Sequence, residues 1–297
     1  MNEIELINTI KDCTGSEFIG DDCAYLKEFG IVVSQDSLVE NIHFKRDWCT
    51  PYQLGYKSVT VNISDILASG AKPKYITIAL SLPNNIDTSY VKEFYNGAKS
   101  ALNGAKIIGG DLTGSNSDII ISITAIGDTK ERNISSRKFA KNGYSIITHG
   151  FYGSSSRGLK ALIDNDLKNN FIKAHLEPKL CPEFSKYISK NIKEPYAMMD
   201  TSDGLADAIF KIAEASNVRI NIDFDKIPHK PEVTKEQILF GGEDYNLIAA
   251  IPSKYASLVP NAIEIGRVQI FDGVRINISG EKFNNYNQLK LYNHFGA

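Results

Sequence analysis

The sequence predicts a mixed fold, α/β or α+β, arranged in two domains. Three observations lead there. Apolar residues recur alternately at helical and at strand spacing from end to end. The 297 residues exceed the usual size of one domain and suffice for two, each with its own core. A polar stretch over residues 128–142, carrying Arg132, Arg137 and three lysines, interrupts this pattern and places the boundary between domains 1–135 and 136–297.

The elements follow in order. Ile4, Ile7 and Ile10 make a short amphipathic helix, and after Gly20-Asp21-Asp22 residues 30–36 read as a strand ending on Asp36. Thr50 as N-cap and Pro51 at the first helical position start a helix that runs to about Ser69. Its apolar face is Tyr56, Val59, Ile63 and Ile66; another stripe, Ser58, Asn62, Asp65 and Ser69, is small or polar. Solvated faces usually carry long Lys and Glu, so this stripe suits close approach by a ligand, a metal or another chain. Ile76, Ile78, Leu80 and Leu82 alternate with Thr77, Ala79 and Ser81 in a half-buried strand over 74–82. Asp87 caps the next helix, with Val91, Phe94, Ala98 and Ala101 inward. A short strand through Ile107 and Ile108 runs into Gly109-Gly110-Asp111, and a long one covers 118–127. Many strands with few helices to cover them leave a sheet face available to a second subunit. Beyond the boundary come a strand at 144–148, helices at 158–163 and 204–215, and strands at 218–224, 246–251, 262–268 and 274–278.

Composition narrows the function. With 33 Lys+Arg against 35 Asp+Glu the net charge is −2, which disfavours nucleic acid as a partner. No run is apolar enough to span a membrane, and the first thirteen residues lack the basic start of a signal peptide, so the expected location is cytoplasmic. Cys13, Cys23, Cys49 and Cys181 are not closely spaced with each other or with the five histidines, which gives free thiols rather than a zinc site.

Aspartates recur where strands or loops meet helix starts: Asp21, Asp22, Asp36, Asp65, Asp111, Asp200 and Asp203. Each alone suits a cap or a turn. Brought together, they would repel unless cations neutralised them, and Mg²⁺ with a polyphosphate is the usual solution. Neither a Gly-x-x-x-x-Gly-Lys-Ser/Thr loop nor a Gly-x-Gly-x-x-Gly fingerprint is present. The glycine-rich run from Gly150 to Gly158 offers a phosphate cradle at a helix N-terminus.

Six ordered motifs resemble one family: Gly20-Asp-Asp-Cys-Ala24, Ser34-Gln-Asp-Ser-Leu-Val39 with His43, Val61-Asn-Ile-Ser-Asp65, Gly109-Gly-Asp111, Asp200-Thr-Ser-Asp-Gly-Leu205 and Gly241-Gly-Glu-Asp-Tyr245. Together they are similar to the thiamine-monophosphate kinases, of the superfamily of aminoimidazole ribonucleotide synthetase and selenophosphate synthetase. The resemblance implies a two-domain α+β fold whose N-terminal sheet joins two subunits in a homodimer. It implies that Asp22, Ser34, Asp36, Asp65, Asp111, Asp200 and Asp203 bind several Mg²⁺ ions. It assigns Arg137, Ser202, Tyr95 and Gly110 to ATP, and His43, Glu243 and Tyr292 to thiamine monophosphate. Two residues depart from the pattern, Gln35 and Leu112, each where Thr is usual. The reaction implied is transfer of a phosphoryl group from ATP to thiamine monophosphate, without a strong general base because the acceptor is already anionic. The reactive N-terminal cysteine of a selenophosphate synthetase and the Cys-containing tail of a hydrogenase-maturation relative are both missing.

Overall fold

The computed structural model describes residues 3–291. Helix α1 (Glu3–Thr14) precedes a five-stranded sheet made of β1 (Ala24–Leu26), β2 (Ile31–Val39), β3 (Lys72–Leu82), β4 (Lys106–Gly114) and β5 (Ile120–Asp128). Helix α2 (Pro51–Ala68) joins β2 to β3, and α3 (Thr88–Ser100) joins β3 to β4. The strand order is β1-β2-β5-β3-β4. Only β3 and β4 are parallel, the pairing that a helical crossover permits.

One face of this sheet is apolar and buried, through Val32, Leu38, Ile76, Ile78, Leu80, Ile121 and Ile123, and packs under α2 and α3. The opposite face carries Gln35, Ser37, Ser122 and Thr124, all exposed or half-buried. Gln35 is engaged there, accepting from Thr124 Oγ1 at 3.1 Å and donating to Ser122 Oγ at 3.3 Å.

A second sheet of seven strands contains β6 (Tyr144–Thr148), β7 (Ala197–Asp200), β8 (Val218–Ile222), β9 (Leu247–Pro252), β10 (Ile263–Ile270), β11 (Ile276–Ile278) and β12 (Glu281–Phe283). Its order is β12-β11-β8-β10-β6-β9-β7. Helices α4 (Ser154–Ile163), α5 (Ile172–Leu176), α6 (Pro182–Asn191), α7 (Leu205–Ala215) and α8 (Lys235–Phe240) surround it. Both sheets, with helices packed on them, give the mixed α+β architecture that the sequence predicts.

Helix α2 is the joint. Thr50 and Gln53 close a full capping box at its start, as Thr50-Pro51 predicts. The helix crosses α3 at glycines: a Cβ on Gly55 would lie 1.9 Å from the Phe94 carbonyl oxygen, and one on Gly97 1.8 Å from that of Tyr52. Elements of the second half close over its other side. Ser185 donates to Leu67 O at 2.6 Å, and Ser135, at the boundary between the halves, donates to Ala68 O at 2.7 Å. The small polar stripe is therefore approached closely by the protein itself. Ser58, Asn62 and Ser69 are buried and bonded to backbone, Asn62 Oδ1 accepting the Asp36 amide at 3.1 Å, and of the four Asp65 borders the cavity that Asp36 and Asp200 also line.

Two local expectations change. Gly109-Gly110-Asp111 does not end a short strand; the strand runs through it to Gly114. Glycine is needed there because a Cβ on Gly110 would meet the Ile78 carbonyl at 1.8 Å, next to a register shift against β3. Helix α1 forms, but Ile7 and Ile10 are 40% and 53% exposed rather than inward.

Candidate active site

Asp65 projects from the last turns of α2, Asp200 ends β7, and Asp22 precedes β1. Each offers a carboxylate oxygen, and the three oxygens lie within 4.8 Å of one another. Local bonds aim them. Ser34 on β2 donates to Asp65 Oδ2, and Ser64 donates to Asp200 Oδ2 at 2.5 Å. Asp22 accepts from Arg137 Nη2 at 2.7 Å. Its neighbour Asp21 turns instead to the Ser136 hydroxyl and the Arg137 amide, both at 2.7 Å, and holds that loop in place.

The cluster is electrostatically costly as it stands. Burial, then repulsion from Asp36, Asp200 and Asp22, pushes the Asp65 carboxyl well above the usual range. Burial and Asp22 push Asp200 up to about 7. Burial, Asp203 and Asp22 push Asp36 up to about 6. Five acids thus act on one another, with Arg137 bonded to Asp22 on one side and Lys211 to Asp203 on the other. Burial works against the guanidinium charge, but the Asp22 carboxylate more than offsets it. Arg137 Nε is buried and, among the described residues, has no hydrogen-bond partner. Hard oxygen donors at this spacing, repelling one another, fit Mg²⁺. Asp22, Asp65 and Asp200 would hold it, with Asp36 and Ser34 beside them.

A cavity of about 590 Å³ opens from this cluster. Its walls bring Asp36, Asp65, Asp200, Ser202 and Asp203 together with His43 and Glu243. His43 accepts the Val39 amide on Nδ1 at 3.0 Å. The Glu243 amide donates to Ser202 O at 2.6 Å, which ties the two expected substrate loops to each other. At the rim, Asp203 is paired with Lys211 at 3.2 Å, and Lys211 with Asp207 at 2.8 Å.

Three expected residues lie elsewhere in the chain. Asp111 and Gly110 are on β4, three strands from β2, about 14 Å at the ordinary spacing. Asp111 shares a row with Ala79, Ser122 and Ser37, so it belongs to the open face, opposite the side of Asp36. Tyr95 is half-buried on α3, edge-on to Phe94 with ring centroids 5.5 Å apart. Tyr292 lies outside the described residues. The glycine-rich loop at α4 is not open for phosphate at its start: the buried Asp244 carboxylate accepts from Gly153 N at 2.6 Å and Ser155 N at 3.0 Å. That carboxyl group fills the place a ligand phosphate would take.

Sequence reasoning did not reach Lys57, His175, Ser64 or Asp244. The available signal for Lys57 was a lone lysine in the buried run of α2, in line with Val61 and Asp65 at spacings of four. A second cavity, about 960 Å³, lies against Asp22 and is lined in part by Phe18, Tyr25, Lys27, Lys138 and Phe139.

Residues 20–129 match the family described as AIR synthase related protein, N-terminal domain. A thiamine-monophosphate kinase from Aquifex aeolicus is 34% identical over 93% of this chain and 94% of its own length. One from Bacillus subtilis is 31% identical over 99% of this chain and 100% of its own length. The solved structure described as AaThiL complexed with AMPPCP and TMP has a TM-score of 0.88 at 32% identity, covering 99% of this chain and 97% of that one. With this fold, these carboxylates and relatives matched over nearly their whole length, the chain belongs to the thiamine-monophosphate kinase family.

Proposed function

We propose that this chain transfers the γ-phosphoryl group of ATP to thiamine monophosphate, giving ADP and thiamine diphosphate. The observation that carries the reading is the convergence of Asp22, Asp65 and Asp200 within 4.8 Å, where Asp65 and Asp200 line a cavity that also presents His43 and Glu243. The relative of known structure was solved with AMPPCP, an ATP analogue, and TMP, which agrees with that pair of substrates. Residues 1–135 supply Asp22, Ser34, Asp36, Asp65 and His43; residues 136–297 supply Arg137, Asp200, Ser202, Asp203 and Glu243.

Mg²⁺, when bound, neutralises the phosphates that must approach each other. The chain's own residues position the reactants. Asp22, Asp65, Asp36 and Asp200 would fix where the cations sit, and Arg137, bonded to Asp22, stands beside them as the nucleotide contact. Ser202 and Glu243 share a backbone bond, so the nucleotide loop and the acceptor loop keep a set separation. The acceptor phosphate is already ionised, so no side chain has to remove a proton. Positioning and charge then provide most of the acceleration.

The active species is a homodimer in the cytoplasm. The polar face of the first sheet, continued on the edge strand β4 by Asp111, is suited to meet its copy. Asp111, about 14 Å from β2 across the sheet and on its open face, then serves the partner subunit's site rather than its own. Product analysis after incubation with Mg²⁺, ATP and thiamine monophosphate tests the reading; formation of thiamine diphosphate is expected, and free phosphate without it overturns the assignment.

A further inference from the structure

Lys57 is 3% exposed, on a helix otherwise buried among apolar and small side chains. A buried ammonium is rare unless it is paired. Its Nζ lies 3.0 Å from Glu243 Oε1 and 3.4 Å from His175 Nε2. His175 Nδ1 in turn lies 3.1 Å from Glu243 Oε2, and Ser155 Oγ is 3.1 Å from the same nitrogen. The tautomer follows from this geometry. An ammonium only donates, so Nε2 accepts from Lys57 and Nδ1 carries the proton toward Glu243. Burial, then Lys57, pushes His175 down to about 4, so the ring does this work uncharged. Burial raises the Glu243 carboxyl, but Lys57 and His175 more than offset it, and it stays ionised.

The backbone shows why such support is needed. Glu243 has φ +64 and Tyr245 φ +52, left-handed values that non-glycine residues rarely adopt. With both carboxylate oxygens held, 28% of the Glu243 side-chain surface still faces the cavity. Lys57 and Asp65 lie on one stripe of α2, eight residues apart, or about 12 Å of helix. One rigid rod therefore carries the carboxylate cluster at one end and the support of Glu243 at the other.

We propose that Lys57 and His175 are positioning residues, which hold Glu243 at a fixed distance from the carboxylate cluster and thereby set affinity for the end of the acceptor remote from its phosphate. The proposal rests on the kinase reading above. Three enzymes are compared by steady-state kinetics in both substrates: Lys57→Met, Glu243→Gln and the double variant, with His175→Gln as a milder variant should Lys57→Met fold poorly. Lys57→Met is expected to raise KM for thiamine monophosphate about tenfold or more while KM for ATP and kcat stay within about threefold. The double variant should match Glu243→Gln within about threefold, because both changes break one unit. His175→Gln should shift the same KM in the same direction, less far. Equal effects on both substrates, an unchanged acceptor KM, or single effects that multiply in the double variant overturn the positioning role. A parent enzyme that forms no thiamine diphosphate overturns the kinase reading, and this proposal with it.

Discussion

Asp21 and Asp22 are adjacent and differently employed: one is spent on the Ser136–Arg137 loop, the other joins two distant carboxylates. Which aspartates gather was legible in the motifs, because acids beside glycines and at strand ends have little other reason to recur. Their supporters were not, since Lys57 and His175 stand 118 residues apart and neither sits in a motif. Replacing Asp200 by Asn is expected to lower turnover by about a thousandfold or more, because the cation's charge loses its fixed place. The same variant should melt higher than the parent when divalent cations are removed, since a buried, repelled carboxylate has been made neutral. Asp111→Asn should also abolish turnover but leave the metal-free melting temperature unchanged, for it lies on the open face away from that repulsion. Activity assays paired with thermal melts in chelator check both.

At the scale of elements, α2 and its caps could be read from Thr50, Pro51 and the helical spacing, whereas what covers the side turned away from the first sheet and α3 depends on residues more than a hundred positions away. The same gap explains β4. Gly-Gly-Asp reads locally as a turn, and only the close approach of the Ile78 carbonyl shows why glycine continues a strand there. The α2–α3 crossing yields a test. A methyl group on either Gly55 or Gly97 would enter the opposing backbone, which cannot move aside like a side chain. Gly55→Ala and Gly97→Ala should each cost about 3 kcal/mol or more of folding stability, read from urea unfolding, whereas Gly104→Ala, with open space around its Cβ but a strained φ of +88, should cost about 1 kcal/mol.

For the molecule as a whole, pH and metal act on one balance. Asp36 and Asp200 are raised from 3.8 to about 6 and about 7, so the folded chain binds these protons more tightly than the unfolded chain. Their stabilising contribution is full below pH 3.8 and is lost as pH rises through 6 and 7. Without divalent cations the melting temperature should therefore fall by on the order of 5 °C between about pH 5.5 and about pH 8. Saturating Mg²⁺ should restore more of it at the higher pH, where protons compete least; a pH-independent gain contradicts the cluster as the metal site. Assembly is tested by co-expressing Asp111→Asn with Asp200→Asn: a site shared across a dimer regains about a quarter of parental activity, from mixed dimers with one intact site. The overall architecture was legible because its patterning repeats in every element, while the division of the site between faces was not, since strand order decides it. The grip of both sheets on α2 also bears on how such chains diversify. Exchange of halves between relatives at the polar stretch would cut no strand, yet it would pair an α2 from one lineage with the Asp200, Ser185 and Glu243 of another. What descends as a unit is the helix with its docking partners from both halves, so drift on one side of the chain must be answered on the other.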